Sequence, residues 1–141
     1  MTRDQKAVKE VLLNYNLAKA RLSVLNRLIT EARDVRGGHD VIQIGDGGGH
    51  ADPTADKAAR VEELRREAED LQRLVRAVEL ALEILSPEER RVIEGRFLSS
   101  PPARIEDLAD RLFCSRNKIY RLQDSAFERM AYVLFGRQKP R

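Results

Sequence analysis

Side chains that can recognise nucleic acids are concentrated at positions 115–122 of this 141-residue chain. With helical spacing, the polar members of this stretch point outward together. Arg116 and Asn117 carry the donors and acceptors that pair with guanine and adenine edges in the major groove. Other basic residues are expected to contact phosphates, which set affinity and register without reading sequence. They are Lys118, Arg121 and the tail residues Arg137, Lys139 and Arg141. The predicted DNA-contacting residues are Ser115, Arg116, Asn117, Lys118, Tyr120, Arg121, Arg137 and Lys139.

Two short helices joined by a tight turn are predicted to hold these side chains. Ala109 supplies the small residue that lets two helices cross closely, as a helix-turn-helix requires. Ser115 is a natural N-cap for the second helix, because its hydroxyl can accept a hydrogen bond from a free backbone N–H. We expect that helix to continue to about Phe135 and to stop at Gly136. The residues predicted to face inward are Leu108, Ala109, Leu112, Cys114, Ile119 and Leu122.

A further helix is predicted immediately before this pair. Ser86 as N-cap, Pro87 at the first helical position and Glu89 three residues after the cap form a capping-box pattern. We expect this helix to run to about Phe97, because the two prolines at 101 and 102 cannot continue it.

The first 85 residues carry two long heptad patterns. Apolar or small residues recur at alternating intervals of three and four, which predicts one long helix over residues 3 to about 33 and another beginning near Pro53. We predict an all-α fold: a long antiparallel, coiled-coil-like helical hairpin over residues 1–85, then a helix-turn-helix domain over residues 86–141. The two seams are Val8, Val11, Tyr15, Ala18, Leu22, Leu25, Ile29 and Ala32, and Val61, Leu64, Ala68, Leu71, Val75, Val78, Leu82 and Leu85.

Residues 36–53 interrupt the heptads and hold most of the chain's eight glycines. This composition is typical of a flexible connection. Two alternatives are a short strand over residues 41–44 and a metal site, whose ligand types are plausible although no ordered scaffold is predicted. The residues that could bind the metal are His39, Asp40, Asp46, His50 and Asp52.

Charge is distributed unevenly, although the formal net charge is only +3. Residues 115–141 contain seven basic and two acidic residues, whereas residues 61–85 contain four basic and seven acidic. The basic end suits a phosphate-binding surface. The single cysteine, Cys114, excludes an intramolecular disulfide, and no apolar run is long enough to span a bilayer. We therefore expect a cytoplasmic protein that makes no membrane contact.

The segments LSPEERRVIEGRF and RIEDLADRLFCSRNKIYRLQDSAFERM resemble region 4 of sigma-70-type factors. Over its full length the chain is similar to phage and prophage proteins of the ArpU/RinA type, which join an N-terminal helical region to such a helix-turn-helix and are described as regulators of transcription, often of late genes. The resemblance implies that Arg116, Asn117, Tyr120 and Arg121 face DNA. The chain departs from the family pattern at Phe113, where the family has a turn glycine, and at Arg104, where it has a Ser or Thr cap.

A sequence-specific DNA-binding regulator of the phage type is the function that this sequence predicts. Its partners are expected to be double-stranded DNA and a second copy of the chain, most simply as a dimer, with RNA polymerase as a further candidate. No catalytic serine or histidine arrangement is present, so we predict neither an enzyme nor a cofactor. The alternatives are a phage small terminase subunit, and a coiled-coil interaction protein that does not bind DNA.

Overall fold

Every regular element in the described part of the chain is helical. The computed structural model describes residues 2–38 and 53–136. The predicted all-α class is confirmed for these two ranges. The elements in chain order are α1 (Arg3–Gly38), α2 (Pro53–Glu83), α3 (Pro87–Ile93), a π-helical turn (Glu94–Leu98), α4 (Ile105–Arg111) and α5 (Arg116–Phe135).

α1 is longer than predicted, because its backbone continues through Gly37 to Gly38. Glycine lowers helix stability by about 1 kcal/mol relative to alanine without forbidding the helix. Predictions for the strand at 41–44 and for the metal ligands His39, Asp40, Asp46, His50 and Asp52 lie outside the described residues. Pro53 begins α2, as predicted.

The chain divides into two compact units, a central unit (Ala18–Arg73) and a terminal unit (Met1–Leu17 with Leu74–Arg141). In the central unit Arg21 and Glu67 form a bidentate ion pair. Nε of Arg21 lies 2.8 Å from Oε2 of Glu67, and its Nη2 lies 3.0 Å from Oε1. The hydrogen bond from Arg21 lowers the pKa of Glu67 from its ordinary value. Leu25 and Ala68 are buried here, whereas Val24 and Leu28 are exposed.

The terminal unit contains a compact apolar group, the anchoring cluster, which fixes α4 and the beginning of α5. Gly95 in the π-helical turn allows this close packing, since a Cβ there would lie 3.0 Å from Cδ2 of Leu108. The backbone N–H of Ala103 donates to the carbonyl of Gly95 at 2.8 Å. This hydrogen bond fixes the segment before α4 to the π-helical turn. The anchoring cluster consists of buried Val92, Ile105, Leu108, Ala109 and Ile119, with Ala103, Leu112, Cys114 and Leu122 packed against it.

A further set of buried residues in the terminal unit includes inward-facing residues from the later turns of α5. The rings of Phe97 and Phe127 lie 5.4 Å apart between centroids at a 42° tilt, a favourable aromatic arrangement. Met130 and Ala131 are also buried on α5, and Leu12 on α1 is completely buried. Burying a large apolar side chain contributes about 1.5–3 kcal/mol to stability, and this contribution is the main force that holds the helices together.

Candidate nucleic-acid interface

The turn between α4 and α5 is a Schellman motif, a helix end closed by two reversed hydrogen bonds. The N–H of Cys114 donates to the carbonyl of Ala109 at 3.0 Å, and the N–H of Phe113 donates to the carbonyl of Asp110 at 3.3 Å. Leu112 is the C-cap, which places Phe113 at the next position, where glycine is usual. Phe113 has φ +54°, a left-handed conformation. The turn therefore keeps the glycine-type geometry without the glycine.

Ser115 is the N-cap of α5, as predicted. Its Oγ accepts a hydrogen bond from the backbone N–H of Lys118 at 3.1 Å, and its own backbone is extended, with φ −82° and ψ 161°. Such a cap stabilises a helix by about 0.5–2 kcal/mol relative to alanine. The first turn of α5 is therefore fixed from its first residue.

The first two turns of α5 expose the predicted contact residues together. Ile119, in the same two turns, is completely buried in the anchoring cluster, so the helix has one anchored face and one open face. Arg137 and Lys139 lie outside the described residues. The predicted residues that the structure exposes are Ser115, Arg116, Asn117, Lys118, Tyr120 and Arg121. We refer to these six as the α5 face.

Two cations of the α5 face have acidic partners that the sequence patterns did not reveal. Arg116 Nη1 lies 3.4 Å from Oε1 of Glu106, and Lys118 Nζ lies 3.8 Å from Oε2 of Glu88. Both carboxylates belong to the first turn of a helix, where negative charge suits the helix dipole. All four side chains are more than half exposed, and such pairs contribute only about 0.2–1 kcal/mol. Both cations therefore remain available to a competing anion.

Residues further along α5 tie this helix to the preceding elements. Arg96 of the π-helical turn donates a hydrogen bond to the side-chain oxygen of Gln123, which is buried. Ser125 Oγ donates to Oε2 of Glu89 at 2.6 Å, and the backbone N–H of Ser86 donates to Oε1 of the same carboxylate at 2.9 Å. The capping box identified Glu89 from sequence, but its contact with α5 could not be predicted from local spacing.

The described residues provide no other candidate centre. No group of three or more His, Cys, Asp or Glu side chains within residues 2–38 and 53–136 could hold a metal ion. Cys114 is half-buried beside the anchoring cluster. None of the helices in the described ranges has the length and apolarity that crossing a membrane requires.

Comparison with known proteins identifies no relative. No family model matches the chain, and no curated protein or solved structure matches it. The geometry and charge of the α5 face are therefore the features that point to a function.

Proposed function

We propose that the chain binds double-stranded DNA through α4, the turn and α5, used as a helix-turn-helix with α5 as the recognition helix. The observation that carries this proposal is the α5 face itself. Arg116, Asn117 and Tyr120 are exposed immediately after a capped turn, while Ile119 anchors the opposite side. Recognition helices of this class place the residues of their N-terminal end against base edges.

The charge along α5 favours an approach by its N-terminal end. The first two turns contain three exposed cations and no acid, whereas Asp124 and Glu128 are exposed further along the helix. Asp124 also accepts a hydrogen bond from Gln5 at 3.4 Å. Phosphates are attracted to the first two turns of α5 and repelled by the two acidic side chains that follow. The helix would therefore enter the groove with its N-terminal end first.

The two acidic partners weaken but do not cancel this attraction. A pair worth about 0.2–1 kcal/mol changes affinity by roughly 1.5- to 5-fold, since 1.4 kcal/mol corresponds to a factor of ten. For a protein that makes six to ten phosphate contacts, DNA affinity falls by a factor of about 10³–10⁵ when salt is raised from low to moderate concentration. Glu106 and Glu88 therefore reduce the DNA affinity by much less than the phosphate contacts increase it.

We propose the N-terminal helices as the scaffold, arranged as an antiparallel hairpin. Within the terminal unit, Tyr15 Oη donates to Oε2 of Glu79 at 3.4 Å, and Asn16 Nδ2 donates to the carbonyl of Leu98 at 3.2 Å. These contacts join the first half of α1 to the last turns of α2 and to the π-helical turn. A helix-turn-helix of some 55 residues is too small to be very stable alone, so support of this kind is expected.

Self-association is part of the same proposal. Among the side chains of α1 that the structure describes, residues 3–33, the large apolar ones that are exposed are Leu13, Leu17, Val24 and Leu28. Heptad-spaced apolar residues left in water favour a coiled-coil contact with a second copy. A dimer would present two α5 faces to half-sites about one DNA turn apart. The phage-type regulatory role is supported by the resemblance to ArpU/RinA-type proteins. RNA polymerase as a partner is supported by the resemblance of the C-terminal segments to sigma region 4.

The salt dependence of binding to a random duplex tests whether this protein contacts phosphates at all. The logarithm of the affinity should fall linearly with the logarithm of salt concentration, and Lys118→Ala should reduce the slope by about one. Arg73→Ala is the matched control, because Arg73 is an exposed, ion-paired arginine on α2. Absence of salt-dependent binding would exclude DNA binding and favour the interaction protein. Rings of eight or more chains would instead favour the small terminase.

A further inference from the structure

Phe113 is unfavourable to the fold in two independent respects. It is the non-glycine residue with positive φ in the described ranges, at +54°. Its side chain is 94% exposed, more than any other large apolar side chain that the structure describes. Left-handed backbone is strained for an ordinary L-residue, and an exposed ring recovers nothing by packing. Glycine would serve the turn better, so the residue calls for an explanation outside the fold.

The ring is nevertheless attached to a rigid point. Leu112 and Cys114, the residues on either side, both pack against the anchoring cluster. The Schellman hydrogen bonds to Ala109 and Asp110 fix the backbone between them. Strained residues that the surroundings hold in place occur preferentially at binding sites, because a group that is already positioned loses little entropy on binding.

We infer that Phe113 is a specificity-determining contact that packs against the C5-methyl group of a thymine in the major groove. This inference rests on the proposed DNA-binding function. Thymine is the base that offers an apolar group in that groove, and phenylalanine is among the side chains that contact it. Arg116 lies three positions after Phe113, a backbone span of at most about 10–11 Å. With base pairs about 3.4 Å apart, this thymine lies within about three base pairs of the base that Arg116 reads.

A protein partner explains the exposed ring less well than DNA does. One phenylalanine buries about 150–250 Å², whereas a stable protein interface needs about 1,000 Å² or more. The side chains near it in sequence do not provide the rest: Leu112 and Cys114 are half-buried, and Arg111 and Arg116 are charged. A single exposed aromatic group with Arg111 and Arg116 close to it in sequence, and Asp110 as the acidic residue of the same turn, suits a polyanion that carries isolated methyl groups.

The test combines two variants with a change in the DNA. A preferred duplex is selected from a random library with the wild-type protein, and each thymine in turn is then replaced by deoxyuridine, which lacks only the methyl group. For the wild type, one replacement should weaken binding roughly fourfold, the factor that corresponds to about 0.8 kcal/mol for one buried methyl-sized group. Phe113→Gly should bind the thymine duplex about as weakly as the wild type binds the deoxyuridine one, and should not distinguish the two.

Stability measurements distinguish the effect of losing the Phe113 ring from the effect of relieving the backbone strain at this position. Phe113→Gly should raise the urea midpoint, because glycine adopts positive φ without strain. Phe113→Ala keeps the strained backbone and loses only the ring, so it should lose the same discrimination without the gain in stability. If either variant still distinguishes thymine from deoxyuridine as the wild type does, the inference is wrong. If the wild-type protein selects no sequence and shows no salt-dependent binding, the proposed function itself fails.

Discussion

Arg129 on α5 extends its Nη1 to within 3.1 Å of Oε1 of Glu89, a carboxylate on α3 that is only 3% exposed. Burial alone would raise the pKa of Glu89. Hydrogen bonds from Ser125 and Ser86 and the charge of Arg129 outweigh it, and the pKa lies below its ordinary value of 4.5. This carboxylate therefore links the beginning of α3 to the helix that carries the candidate interface.

The depressed pKa predicts a loss of stability in acid. The carboxylate contributes fully above its unfolded pKa, and that contribution disappears as the pH falls through the lower folded pKa. Glu89→Gln should destabilise the protein by roughly 1–3 kcal/mol at neutral pH and flatten the fall in stability below about pH 4.5. Urea unfolding at several pH values measures both effects. Glu94→Gln, which removes an exposed ion pair with Arg90, should cost less than about 1 kcal/mol. A Glu89→Gln protein with wild-type pH dependence would contradict this account.

Substitutions at Ser115, the N-cap of α5, should change protein stability and DNA affinity independently. Ser115→Ala should destabilise the protein by about 0.5–2 kcal/mol, because the N–H of Lys118 loses its acceptor. Ser115→Asp should retain the cap and most of the stability, yet its negative charge should weaken DNA binding. Thermal unfolding and a DNA titration on both variants give the comparison. Equal DNA affinity for Ser115→Asp and wild type would place the cap away from phosphate.

The ion pair between Arg116 and Glu106 predicts a variant with higher affinity. Glu106→Gln removes a negative charge 3.4 Å from Arg116 and should strengthen binding to a random duplex by roughly 1.5- to 5-fold at low salt. The matched control is Asp70→Asn, whose partner Arg73 lies at the same distance of 3.4 Å. Fluorescence anisotropy at two salt concentrations measures the change. Equal effects of the two substitutions would show that Glu106 is not near the bound DNA.

Exposed apolar residues on α1 predict self-association. Leu17 and Val24 are 70% and 48% exposed, and burying each in a partner contact would contribute about 1.5–3 kcal/mol at most. Light scattering at micromolar concentration should give the mass of a dimer or larger oligomer, and Leu17→Glu with Val24→Glu should shift it toward the monomer. A monomer mass for the wild-type protein would exclude the dimer.

Local signals in the sequence predicted three helix ends correctly. The capping box of Ser86 and Glu89, the Ser115 cap and the stop at Gly136 are all observed. Each depends on residues within about four positions of one another, where backbone geometry leaves few alternatives. The buried residues Leu108, Ala109 and Ile119 also agree with the helical spacing.

Features that depend on contacts between elements could not be predicted in this way. The helix that begins at Pro87 ends as a π-helical turn, where Gly95 packs against Leu108 from α4. Gln123 is buried although it is polar, because Arg96 donates to it from another element. The acidic partners of the α5 face were missed for the same reason, since Glu88 lies thirty positions before Lys118 in the sequence.

Binding of Arg116→Ala to the selected duplex and to a random duplex, beside Arg73→Ala, tests the central claim most directly. If Arg116 reads a base, Arg116→Ala should weaken binding to the selected duplex by about 1–3 kcal/mol and affect the random duplex much less, while Arg73→Ala changes neither. Equal losses on both duplexes, or no loss on either, would contradict the assignment of the α5 face as the surface that reads DNA.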